Sequence, residues 1–116
     1  MKRKNFLMIA VAASFLLSLA TIINAQVLGG YKAIASDDAE AAEAADFAVS
    51  KRAEEQEGLS LSSVEKAERQ SVQGTNFRLC LQVELDGESQ FVSTVVYRSL
   101  QGDFTLKSWS VVEGCG

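Results

Sequence analysis

The sequence has 116 residues, of which fifteen are acidic and eleven basic, for a net charge of −4, and it contains neither histidine nor proline. The acidic balance argues against nucleic acid and anionic membranes as partners. Without histidine there is no Ser/His/Asp or Cys/His machinery and no metal-ligand spacing, so neither an enzyme nor a cofactor is expected.

The chain begins with a basic triplet, Lys2, Arg3 and Lys4, followed by an apolar run over residues 6–23 and the small-residue exit Ile23-Asn24-Ala25. This reads as a secretory signal peptide over residues 1–25, cut after Ala25 or, in a second register, after Ala20. A single membrane anchor is the competing reading, because the apolar run approaches spanning length. Removing residues 1–25 leaves one domain, residues 26–116, with eight basic against fifteen acidic residues and a net charge of −7. Cys80 and Cys115 travel with it through an oxidising route, so a disulfide is the expectation, with free buried thiols as the alternative.

Residues 27–35 read as a flexible lead containing Gly29-Gly30. Ser36 is placed to cap a helix whose first turn carries Asp37, Asp38 and Glu40, where the dipole favours acids. The alanine-rich stretch 37–56 lacks a breaker, carries Lys51 and Arg52 towards its end, and is stopped by Gly58. Ala41, Ala45 and Ala48, interrupted by Phe47, form a small-residue face that a sheet can approach closely. Glu54, Glu55 and Glu57 are most simply a solvated helix end.

Beyond Gly58, the irregular recurrence of Leu59, Leu61, Val64 and Ala67 fits a bent or bulged strand. From Phe77 the alternation is strict, with Phe77, Leu79, Leu81, Val83 and Leu85 on one face. Asp86-Gly87 is a hairpin turn. Residues 91–97 form the next strand, Gln101-Gly102-Asp103 marks a turn, and residues 104–112, with Trp109 packed in the core or at its rim, form the last. The fold class is α+β, one N-terminal helix wrapped by a four- to five-stranded antiparallel sheet.

The pentapeptide Gln70-Ser71-Val72-Gln73-Gly74 falls at the first hairpin tip. A meander puts that tip and the turn Ser99-Leu100-Gln101-Gly102 at one end of the sheet, with Asp86-Gly87 at the other. The lead before the helix can reach the first end, so three projections align into one edge. Loop tips are normally polar, and an apolar tip suggests a binding surface.

In this order and register the chain resembles the cystatins, inhibitors of papain-like cysteine proteases. Leu28-Gly29-Gly30 is similar to the family's glycine-bearing trunk, and Ala45-Asp46-Phe47-Ala48-Val49 to its helix signature. Leu59-x-Leu61-x-x-Val64-x-x-Ala67-x-x-Gln70 resembles the strand leading to the first loop, Gln70-Ser71-Val72-Gln73-Gly74 that loop, and Ser99-Leu100-Gln101-Gly102 the second. The resemblance implies a wedge that fills the protease cleft reversibly. In that wedge Leu28, Gly29 and Gly30 run along the non-primed side. Gln70, Ser71, Val72, Gln73 and Gly74 plug the centre, and Leu100 with Gln101 lies on the primed side. A monomer is expected, although the Gln70-to-Gly74 loop, joining two long strands, could open as a hinge for domain swapping; the signal peptide sends the domain to the cell exterior, or to the periplasm in a bacterium.

The chain departs from the common pattern in several places. Ser71 and Gln73 stand where valine and alanine are commonest, and the second loop lacks a Pro-Trp pair. Cys80 and Cys115 do not occupy the cysteine positions of the vertebrate secreted members. They lie on non-neighbouring strands, so a bond requires the 111–116 tail to fold back. Residues 58–63 hold no asparagine, so no second site for legumain-type proteases is expected. The rival reading is a non-inhibitory module on the same scaffold that binds another partner or serves a structural role.

Overall fold

The structure, a computed structural model, describes residues 30–116. The leader, both cleavage positions, Leu28 and Gly29 lie outside the described residues. The lead is not flexible throughout: Lys32–Ile34 forms a short strand, β1. It pairs antiparallel with the next strand, Lys32 opposite Arg69 and Ile34 opposite Ala67. The partner strand is long enough to expose unpaired backbone groups along its edge, and the lead satisfies part of them.

The helix, α1, spans Ala39–Ala53, shorter at both ends than the expected 37–56. Its cap is Asp38 and not Ser36. The Asp38 carboxylate accepts hydrogen bonds from the backbone N–H groups of Glu40 and Ala41, each at 3.0 Å, which satisfies two otherwise orphaned donors. Ser36 and Asp37 are used instead in a turn, closed by the Asp38 N–H donating to the Ala35 carbonyl at 3.1 Å. At the other end Glu54 caps the helix, and Gly58, in the left-handed region, turns the chain into the sheet.

Four long strands follow: β2 (Leu59–Val72), β3 (Gly74–Leu85), β4 (Glu88–Arg98) and β5 (Phe104–Val112). With β1 they make one antiparallel sheet in the order β1-β2-β3-β4-β5. The expected α+β architecture is therefore observed, with five strands. Asp86 and Gly87, both at positive φ (53° and 86°), make the tight β3–β4 hairpin, as mirror-image turns require.

The irregular apolar spacing of β2 has a direct cause. Register shifts fall between Leu61 and Ser63 and between Val64 and Lys66, so Ser62 and Glu65 are extra residues that reset which side chains face the helix. A third shift, at Lys107 opposite Val95 and Val96, explains β5. Phe104 and Leu106 have the opposite parity to Trp109, yet all three pack on the core side.

Ala41, Ala44, Ala45 and Ala48 are fully buried on α1, facing Phe77, Leu79, Leu81, Val83, Val92 and Val96 of the sheet. The helix contributes small residues and the sheet contributes volume. Ala44 extends the expected stripe, whereas Phe47 lies at its edge, its ring 5.4 Å from that of Phe104. Trp109 is half-buried against the core, with the Arg52 guanidinium 6.0 Å from its ring centroid. Thr94 is a fully buried polar residue, and its hydroxyl donates to the Ser108 carbonyl at 2.6 Å, as burial demands.

Cys80 alternates out of the core onto the face of the sheet opposite α1. The tail beyond β5 folds back across β4 on that face, and Cys115 bonds to Cys80 with a Cα–Cα distance of 5.7 Å. No helix among the described residues is long and apolar enough to cross a membrane.

The disulfide spans a sequence separation of 35 residues, for which loop-closure entropy gives about 3–4 kcal/mol. The double variant Cys80→Ala/Cys115→Ala should therefore unfold at a clearly lower urea midpoint than the oxidised protein. Coincident unfolding curves would show that the bond contributes nothing.

Candidate functional site

At one end of the sheet the β2–β3 ladder closes on the pair Val72 and Gly74, with Gln73 alone between them. Such a tight reversal needs an unusual backbone. Gly74 has φ 102°, and a Cβ there would collide with the Arg98 carbonyl oxygen. Glycine is thus required by both conformation and space. The Tyr97 hydroxyl donates to the Gln73 carbonyl oxygen. Just below the tip, the Asn76 side-chain amide donates to the Gln70 side-chain oxygen at 3.0 Å, so Gln70 takes part in the stem of this hairpin.

The β4–β5 turn is built around Ser99. Its N–H donates to the Asp103 carbonyl at 2.8 Å, its carbonyl accepts from the Gly102 N–H at 2.9 Å, and its hydroxyl accepts from the Asp103 N–H at 3.1 Å. These bonds occupy the polar groups at the base and leave Leu100 projecting, 75% exposed. Because Arg98 pairs with Thr75, this turn sits beside the first tip, where Val72 is 42% exposed. Ser71, Gln73 and Gln101 are exposed around the two apolar side chains.

The third projection is represented by its last residue. Gly30 shares a groove with Ser71, Lys32, Ala33, Ile34 and Arg69, so the lead arrives alongside the first tip. The structure therefore brings Gly30, the Gln70-to-Gly74 tip and Leu100-Gln101 to one end of the sheet.

Two ionic arrangements hold this end in place. Glu40, in the first turn of α1, lies 3.0 Å from Arg69 on β2 and 3.6 Å from Arg98 on β4. One carboxylate thus links the helix to both strands that lead into the tips. On the opposite face of the sheet the Arg78 guanidinium stacks 4.0 Å over the Tyr31 ring and donates from Nε to Glu68 at 2.8 Å. Tyr31 immediately precedes β1, so the stack fastens the lead where it leaves the sheet. The hydrogen bond from Arg78 holds the Glu68 carboxyl below the ordinary glutamate range, and the same bond raises Arg78.

The sequence marks Glu40 only as a first-turn acid and gives no sign that it meets Arg69 and Arg98, or that Tyr97 and Arg78 serve this end of the sheet. Register supplies the missing signal. Once Asn76 is opposite Tyr97 and Thr75 opposite Arg98, both side chains must lie beneath the tips.

A single helix laid across a five-stranded antiparallel meander, with two hairpin tips and the lead at one end, is the cystatin-like fold. The chain is similar in structure to the salivary cystatin of the soft tick Ornithodoros moubata, with a TM-score of 0.63 and 20% sequence identity over 73% of this chain and 98% of that one. It is similar also to Al-CPI, with a TM-score of 0.59 and 18% identity over 72% of this chain and 100% of that one. No protein-family model matches the sequence, and no curated protein does. At these identities the likeness is one of fold, and it is the fold that the sequence motifs imply.

Two predictions follow from the geometry. Gly74→Ala forces a Cβ against the Arg98 backbone at positive φ, which should destabilise by roughly 1–3 kcal/mol. An unchanged denaturation midpoint would contradict the clash. Second, Glu68 is depressed on folding, so the folded state binds fewer protons. Its stabilisation is present above the unfolded glutamate value of about 4.3 and is lost as pH falls through the lower folded value. Denaturation midpoints of wild type and Glu68→Gln should accordingly converge as pH falls below about 4. A gap constant with pH would remove the titration from the account.

Proposed function

We propose that the chain is a reversible, tight-binding inhibitor of papain-like cysteine proteases, secreted after removal of residues 1–25. The observation that carries this reading is the side-by-side exposure of Val72 and Leu100 on two rigid, neighbouring tips, with Gly30 arriving beside them. The sequence motifs and the likeness of fold to a salivary cystatin support it, and the Cys80–Cys115 bond fits an oxidising destination.

The tips suit a cleft. Each supplies one apolar side chain ringed by polar groups and backbone, the composition of a hot spot within a contact of about 1,600 Å². Val72 with the backbone of Ser71 and Gln73 fills the centre, Leu100 with Gln101 takes the primed side, and Leu28, Gly29 and Gly30 follow the non-primed side. The chain reverses within Val72-Gln73-Gly74, so no peptide bond of the tip can lie extended along a protease cleft as a substrate does. The inhibitor blocks without being cut, and release is reversible. Because the tips are preformed, little ordering entropy opposes binding.

Titration of papain with the folded protein should give reversible inhibition without covalent labelling. Val72→Asp should weaken it at least ~30-fold, as for a central hot spot, at unchanged thermal stability. Absence of inhibition at micromolar concentrations of folded wild type would overturn the reading and leave a partner-binding module on the same scaffold.

A further inference from the structure

We infer that Tyr97 is a positioning residue for the binding edge: its hydroxyl sets the orientation of the first tip relative to the second. This rests on the proposed inhibitory reading of that edge. Gln73 has no ladder partner, so its carbonyl is not fixed by the sheet. Tyr97 supplies the missing contact, its O–H donating to that oxygen. The donor does not belong to the hairpin it holds. Tyr97 is on β4, opposite Asn76 and two residues before Ser99, in the strand that ends in the Leu100 turn.

Gly74 completes the fit. A Cβ at this position would lie 2.7 Å from the Tyr97 hydroxyl and 2.9 Å from its ring carbon Cε1, as well as against the Arg98 carbonyl. The glycine therefore makes room for the tyrosine in addition to allowing the reversal. The two tips are joined through one side chain and one glycine and move as a unit, so Val72 and Leu100 keep a fixed relative position. Without the hydroxyl, the tip samples other directions, and only a fraction of the molecules present both anchors together. Apparent affinity falls in proportion to that fraction.

Tyr97→Phe retains the ring and removes only the donor. Backbone order parameters at Gln73 and Gly74 should fall from about 0.85, typical of a rigid backbone, to below about 0.6, and the papain inhibition constant should rise about fivefold, with the thermal midpoint nearly unchanged. Since the bond is to backbone, Gln73→Ala should keep the wild-type order parameters. Unchanged order parameters in Tyr97→Phe would overturn the lock. Lower order parameters with unaltered inhibition would overturn its positioning role. Failure of wild type to inhibit papain would instead remove the inhibitory reading, and the order parameters would still decide whether the tip is held.

Discussion

The close approach of helix and sheet governs this molecule. Four fully buried alanines on α1 leave the helix surface nearly smooth, so a sheet carrying leucine, valine and phenylalanine can lie against it. Bulky residues on both partners would hold the layers apart and leave voids lined by unsatisfied contacts, and packing at native density does not tolerate them. The sheet must then curve, and the extra residues Ser62, Glu65 and Lys107 at the register shifts let β2 and β5 bend while keeping their apolar side chains inward. The ends of a curved, tightly backed sheet are rigid supports. Both tips are carried on such ends and are fixed by the scaffold beneath them.

Polar groups refine what packing establishes. Glu40 reaches two strands at once, and its place at the N-terminal end of α1 is favourable for a negative charge. These ion pairs are partly exposed, so their worth lies in alignment more than in stability. The Tyr31–Arg78–Glu68 stack acts similarly on the other face, where it fixes the point at which the lead departs.

Much of the fold was legible because the periodicities are strong. β3 alternates without interruption, the helix contains no breaker, and Asp86-Gly87 permits little besides a hairpin. The glycine at the first tip was legible for the same reason. What escaped depended on partners distant in sequence. β1 forms because β2 offers an edge, which residues 32–34 do not announce. Asp38 wins over Ser36 as the helix cap, a choice between capping residues two positions apart that propensity cannot separate. Tyr97 and Glu40 acquire their roles only when the register brings them within reach of Gln73, Arg69 and Arg98.

The Cys80–Cys115 bond has a further consequence. The ring it closes contains the whole of β4, the exposed Leu100 turn and β5, while the first tip lies outside it. A protease that severed the chain at Leu100 would therefore produce two segments still joined covalently across the back of the sheet. β5 would remain tethered next to β4, and strand re-pairing would be an intramolecular event with no diffusional loss. For a protein whose proposed partners cut polypeptides, a single nick at Leu100, the most exposed large apolar side chain among the described residues, would not release a fragment.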